Sequence, residues 1–127
     1  MSEPALSGLK VVEYGSFISA PYCTKLMADL GAEVIKIEEP GSGDESRRHG
    51  PFLNDEPHYE KSGLFLYLNT NKKSITLNLK SSAGMSMFKE LVKNGVKVPS
   101  PATDRLCDAA KKAHAYVVVS VSEVDCL

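Results

Sequence analysis

The sequence predicts an α/β fold built on a small, mostly parallel sheet. Three observations carry that reading. Short runs rich in β-branched residues alternate with stretches of helical spacing, glycines and prolines mark the changes, and no segment repeats another. At 127 residues the chain allows one domain of ordinary size and not comfortably two.

Val11-Val12-Glu13-Tyr14, set between Gly8 and Gly15, reads as the first strand. Pro21 then opens a helix at its first position, where a missing N–H removes no hydrogen bond. Cys23, Leu26, Met27 and Leu30 recur at helical spacing and are expected to form its buried face. Gly31 stands where a C-terminal cap belongs, and residues 34–37 form the second strand. Strand, helix and strand of these lengths make a βαβ unit, normally parallel.

Residues 40–62 carry Gly41, Gly43, Gly50, three prolines and no periodicity, so they are a long loop of the kind that is usually functional or mobile. Residues 64–68 are a short apolar element returning to the core. Residues 74–79 alternate, with Ile75, Leu77 and Leu79 on one face and Ser74, Thr76 and Asn78 on the other. That pattern predicts a strand with one wet face, unlike a central parallel strand. Ser81 or Ser82 caps the next helix, whose stripe is Met85, Phe88, Leu91 and Val92, and Asn94-Gly95 ends it. After the breaker Pro99-Ser100-Pro101, a helix with Leu106, Ala109, Ala110 and Ala113 on its apolar face leads to a buried strand at residues 116–121.

Composition narrows the function. A formal charge of −1 removes the electrostatic case for nucleic acid or anionic lipid as a partner. No apolar run is long enough to cross a bilayer, and the start has no signal-peptide pattern. Cys23, Cys107 and Cys126 are odd in number and lack metal-ligand spacing, which fits reduced thiols in a cytoplasmic protein. His49, His58 and His114 are too scattered for a ligand set, so no metal is expected. Glu38-Glu39 and Asp55-Glu56 are adjacent pairs, and strand neighbours point to opposite faces, so neither reads as a catalytic dyad. Phosphate-binding glycine motifs are missing; Gly41-Ser42-Gly43-Asp44 follows the second strand and reads as a turn before it reads as an anion cradle.

A family resemblance spreads over residues 6–94. Its pieces are Leu6-Ser7-Gly8-Leu9-Lys10-Val11-Val12-Glu13, Ala20-Pro21, Ala28-Asp29-Leu30-Gly31-Ala32-Glu33-Val34-Ile35-Lys36-Ile37-Glu38, Pro40-Gly41-Ser42-Gly43-Asp44, Asn69-Thr70-Asn71-Lys72-Lys73-Ser74-Ile75 and Leu77-Asn78-Leu79-Lys80. In this order and spacing they resemble the start of class III CoA transferases, the family of formyl-CoA transferase, carnitine CoA transferase and α-methylacyl-CoA racemase. The resemblance implies a Rossmann-like segment over residues 1–95 that binds coenzyme A or acyl-CoA at the carboxyl ends of its first strands. Carried over by position, Ile18 and Ser19 approach the CoA backbone, and Leu77, Asn78, Leu79 and Lys80 lie along its adenosine and phosphates. It also implies a homo-oligomer, since full-length members form interlocked dimers.

Two departures stand out. Glu39 occupies a position where these transferases often carry an arginine for the nucleotide phosphate, so Arg47, Arg48 or Lys36 would have to substitute; Ser16 stands where some carry histidine. The family's nucleophile is an aspartate that attacks the acyl-CoA thioester. Asp104, Asp108 and Asp125 do not match its context, so a chain truncated before that residue and inactive alone is expected, with catalytic residues: none. Residues 96–125 resemble instead a stretch of nitrilase-type carbon–nitrogen hydrolases that carries none of their Glu, Lys and Cys. Residues 96–127 are therefore expected to be an α-β tail packed on the same domain. The other reading is a non-catalytic binding or assembly module derived from fused gene fragments.

Overall fold

The computed structural model describes residues 3–93 and 117–119. Strand β1 (Lys10–Tyr14) leads through helix α1 (Ser19–Asp29) to β2 (Glu33–Glu38). Two 3-10 turns, Glu45–Arg48 and Leu53–Asp55, interrupt the long loop before helix α2 (Gly63–Leu68). Strand β3 (Lys72–Thr76), helix α3 (Ser82–Lys93) and strand β4 (Val117–Val119) follow. The strands form one sheet in the order β3-β2-β1-β4, and every pairing is parallel. The α/β class and the parallel sheet expected from the sequence are therefore present.

Alternation along the strands divides the sheet into two covered faces. Val11 and Val34 pack with Ala28 and Ala32 on the α1 side, while Val12 and Ile37 pack with Phe88 and Val92 of α3 on the other. Burying a side chain such as Phe88 stabilises the fold by about 1.5–3 kcal/mol relative to leaving it in water. The stripe Met85, Phe88, Leu91 and Val92 is where the sequence placed it. Ser81 is the cap, its hydroxyl accepting the Gly84 N–H at 3.0 Å.

Helix α1 corrects the expected face. Its buried residues are Ala20, Pro21, Thr24 and Ala28, whereas Leu26 and Leu30 are 47% and 51% exposed and Cys23 is exposed. Met27 alone of the four expected residues packs against the Val11 cluster. The physical reason is that two stripes share this helix. The small one lets the helix lie close to the sheet, and it contains a threonine whose hydroxyl finds a buried partner, so hydrophobicity did not mark it. The helix also starts at Ser19, which makes Pro21 its third residue; the first turn's N–H groups lack intrahelical partners there too. Gly31, at φ 99°, ends α1 with the Ala32 N–H on the Met27 carbonyl and its own N–H on that of Ala28. A Cβ at Gly31 would stand 2.3 Å from that of Pro4.

The third strand is a second correction. It spans Lys72–Thr76 and not 74–79, it pairs in parallel with β2, and it lies at the sheet edge. Leu77 and Leu79 do pack on the α3-side cluster, but from the chain between β3 and α3. Residues 64–68 are helical. Residues 117–119 fall within the strand expected at 116–121 and extend the sheet beside β1. The expected helix end at Asn94-Gly95 and the helix carrying Leu106 lie outside the described residues.

Candidate functional site

Residues on the α1 side of β1 and β2 point into the core, and Glu13 and Lys36 are among them although both are charged. They face each other directly in the strand register. Glu13 is 0% exposed and Lys36 1%, so both charges must be met by protein. The Lys36 ammonium donates to Glu13 Oε1 at 2.7 Å and to the Gly15 carbonyl at 3.1 Å, and lies 2.6 Å from Asp44 Oδ2. That ammonium is the partner of an oxygen that has no other polar contact among the described residues. Glu13 Oε2 accepts from Thr24 at 2.7 Å and from Lys72 at 2.9 Å, and Lys72 donates further to the Pro21 carbonyl and Asn69. Two cations and two carboxylates thus balance inside one layer and tie together β1, β2, β3, α1 and the loop after β2.

A second buried carboxylate anchors that loop. Glu38, 5% exposed, takes the fork of Arg47 through Nε at 2.7 Å and Nη2 at 3.0 Å, the Ser74 hydroxyl at 2.5 Å and the Asp44 N–H at 2.9 Å. Burial raises the Glu38 pKa, but the donors from Arg47, Ser74 and Asp44 outweigh it and hold the carboxyl down at about 2. The Arg47 guanidinium stacks 3.5 Å over the Phe65 ring, which locks α2 to the loop. Gly43, at φ 65°, has no room for a side chain, because a Cβ would meet Arg47 Cδ at 3.0 Å and Glu38 Oε2 at 3.1 Å. The Gly41-Ser42-Gly43-Asp44 run is thus a structural turn leading into the 3-10 turn Glu45–Arg48.

These anchors hold open a cleft at the carboxyl ends of β1 and β2. Its volume is about 220 Å³, and Tyr14, Gly15, Ser16, Ile37, Glu38, Glu39, Gly43 and Asp44 line it. A broader groove of about 410 Å³ continues past Glu38 and Glu39 toward Ser74, Ile75 and Thr76. The strand order reverses between β1 and β4, next to the cleft, which itself lies over the carboxyl ends of β1 and β2, the edge at which open parallel sheets bind ligands.

The residues singled out from the sequence sit around this region unequally. Ile18 is the residue before α1 and is 46% exposed, and Ser19 is the first residue of the helix; neither belongs to the cleft lining. Leu77, Asn78, Leu79 and Lys80 follow the carboxyl end of β3. The Leu77 N–H is bonded to the Glu38 carbonyl at 3.0 Å, and Asn78 Oδ1 accepts the Lys80 N–H at 3.0 Å. Lys80 reaches Glu39 at 2.7 Å, a pair 84% and 56% exposed. Its pKa is raised and that of Glu39 lowered by this bond. The three substitutes for a missing arginine are all occupied: Lys36 is buried on Glu13 and Asp44, Arg47 serves Glu38 and Glu60, and Arg48 pairs with Glu45. Ser16 uses its hydroxyl to accept the Glu45 N–H. Reading by hydrophobic period passed over the buried set of Glu13, Thr24, Lys72 and Asp44. A detectable signal existed, namely opposite charges at same-face positions of two apolar strands.

An open parallel sheet with a polar cleft at the carboxyl ends of its first two strands places the chain in the α/β class. The profile of CoA-transferase family III matches residues 6–95. The chain belongs to CoA-transferase family III. It is 44% identical over 87 residues to the succinyl-CoA:glutarate CoA-transferase of Mus musculus, covering 68% of this chain and 19% of that one. To the formyl-CoA:oxalate CoA-transferase of Escherichia coli O139:H28 it is 42% identical over 93 residues, covering 73% and 21%. The chain spans about a fifth of the length of these curated relatives. A crystal structure of a CaiB/BaiF family protein from Brucella suis superposes with a TM-score of 0.66 at 28% identity, covering 88% of this chain and 31% of that one. The family match stops at residue 95; the nitrilase-like stretch lies outside the described residues except for Val117–Val119. No helix among the described residues is long and apolar enough to cross a membrane.

Proposed function

We propose that this chain binds CoA or an acyl-CoA along the carboxyl edge of its sheet, as a CoA-transferase family III segment that does not turn substrate over by itself. The observation that carries the reading is the cleft at the carboxyl ends of β1 and β2, bordered by buried ion pairs and continuous with the groove beside β3. The relatives named above are CoA-transferases by name, which supports a CoA thioester as the ligand. On this reading Ile18 and Ser19, which follow the cleft residue Ser16 in the chain, approach one end of the ligand, and Leu77, Asn78, Leu79 and Lys80 offer it backbone, amide and ammonium groups at the other. Lys80 brings a mobile charge suited to phosphate once it leaves Glu39. No aspartate of the 127 residues matches the family's nucleophile, so the chain alone handles CoA without transferring it. On this reading it would work in the cytoplasm, where the free Cys23 would stay reduced.

A second reading has its own observation. Tyr22 and Leu26 on α1, Leu30 at its C-terminal end, and Leu66 and Tyr67 on α2 are 45–57% exposed, more apolar surface than a chain that works alone needs to show. A non-catalytic assembly module, derived from fused gene fragments with a nitrilase-like tail at residues 96–125, would use that surface. Thermal unfolding with and without CoA separates the two. Under the first reading, millimolar CoA raises the unfolding midpoint by several degrees while an acyl-CoA exchange assay stays blank. No protection by CoA favours the module, and genuine exchange by the purified chain contradicts the absence of a nucleophile.

A further inference from the structure

Phe17 has a backbone that a phenylalanine does not choose. Its φ is 72°, in the left-handed region, where a large side chain is strained. The structure around it shows what holds it there. Asp44 Oδ1 accepts the Phe17 N–H at 3.1 Å across 27 residues of chain. Asp44 is 2% exposed and is itself fixed on every side. Its Oδ1 also takes the Ser46 N–H at 2.8 Å and the Ser46 hydroxyl at 2.6 Å, its Oδ2 lies on Lys36, and its N–H is held by Glu38. Burial raises its pKa, but Lys36 and Ser46 outweigh this and keep the carboxyl below its ordinary range, so the acceptor is a carboxylate at neutral pH. Two further contacts run between the same loops: the Glu45 N–H on Ser16 Oγ at 3.0 Å, and the Phe17 and His49 rings with centroids 4.9 Å apart.

We infer that Asp44 is a positioning residue for the β1–α1 loop. Its carboxylate carries the charge of Lys36 on one oxygen and pulls the Phe17 N–H onto the other. That bond turns the chain sharply after Ser16, so that Gly15 and Ser16 line the cleft and α1 begins directly afterwards at Ser19. A loop fixed in this way does not have to be ordered when a ligand arrives, which spares binding the entropy of ordering it. The inference rests on the CoA reading only for the identity of the ligand; the loop's dependence on Asp44 stands apart from it.

The test combines amide hydrogen exchange of residues 15–19 in the ligand-free chain with CoA affinity by calorimetry. It uses wild type, Asp44→Asn, Asp44→Asn with Phe17→Gly, and Val92→Ala as a control that destabilises the far face of the sheet. In wild type the Phe17 amide is expected to be protected beyond an ordinary loop amide, with its proton resonance shifted downfield by the carboxylate. Asp44→Asn speeds exchange at Phe17 and Ile18 roughly tenfold more than the loss of global stability accounts for, and weakens CoA by a similar factor. Glycine accepts φ 72° without strain, so adding Phe17→Gly restores part of the affinity. Val92→Ala raises exchange throughout and leaves affinity unchanged. An unprotected Phe17 amide in wild type overturns the inference even if Asp44→Asn fails to fold. So does an Asp44→Asn protein that behaves as Val92→Ala does. If wild type binds no CoA, the ligand reading fails, and the exchange data still decide the positioning role.

Discussion

Glu13, Lys36, Asp44 and Lys72 show how single residues make this sheet edge specific. A buried ion pair adds little net stability over an apolar pair of the same shape, but removing one partner strands the other. Lys36→Met leaves Glu13 with Lys72 alone and Asp44 with no cation, and should cost about 3–5 kcal/mol in chemical denaturation. The double variant Lys36→Met, Asp44→Asn should lose less than the sum of its parts, because the carboxylate left without a cation is then gone. Glu38 gives a pH signature. Its pKa is about 2 in the fold against an ordinary 4.5, so the folded state holds fewer protons than the unfolded chain between those values. The stability it contributes is complete above pH 4.5 and is lost as pH falls toward 2. At about 1.4 kcal/mol per pH unit the loss is at most about 3.5 kcal/mol. Denaturant curves from pH 6 to pH 2.5 should fall more steeply for wild type than for Glu38→Gln; parallel curves would show that the Arg47 fork does not hold Glu38.

The elements were legible where one feature dominated. The strands β1 and β2, the glycine end of α1 and the α3 stripe follow from apolar period and cap chemistry, and the structure has all of them. Legibility failed on α1 and β3 for definable reasons. In α1 the buried stripe is Ala20, Thr24 and Ala28, small residues of which Thr24 meets a charge on the neighbouring strand, and no count of large apolar side chains finds it. In β3 the alternation is real, but it continues past the last ladder residue, because Leu77 and Leu79 pack on the core from the segment that leads to α3. The cleft was legible only as a region. Ile18 and Lys80, named through resemblance, are not among its lining residues, while its walls include Glu38, Asp44 and Gly43, whose roles exist only once the loop is folded. Two substitutions check the corrected face. Leu26→Ser should change stability by no more than about 0.5 kcal/mol, as at an exposed site, and Phe88→Ala should cost about 3–5 kcal/mol. A large loss at Leu26 would restore the face expected from the sequence.

For the whole molecule, one consequence concerns association and the other concerns the ligand. The exposed row of Tyr22, Leu26 and Leu30 beside Tyr67, with Lys25 lying 5.1 Å over the Tyr67 ring, is an apolar surface edged by charge. Sedimentation at micromolar concentration should show a dimer or larger species, and Leu26→Ser with Tyr22→Ser should shift it toward monomer. A clean wild-type monomer would count against association through this surface.

The ligand reading turns on Glu39 and Lys80, which neutralise each other in the free chain. A phosphate entering the groove must draw Lys80 from its partner, and the freed carboxylate then opposes it. Two exposed charges at about 4 Å interact by about 1 kcal/mol in water, and by more where the sheet edge excludes solvent. Titration calorimetry with CoA on wild type, Glu39→Arg and Lys80→Ala is the most direct test. The account predicts weak binding by wild type, roughly tenfold tighter binding by Glu39→Arg, and binding weakened by a similar factor in Lys80→Ala. Equal affinities for all three, or none for any, would contradict a CoA site at this end of the sheet.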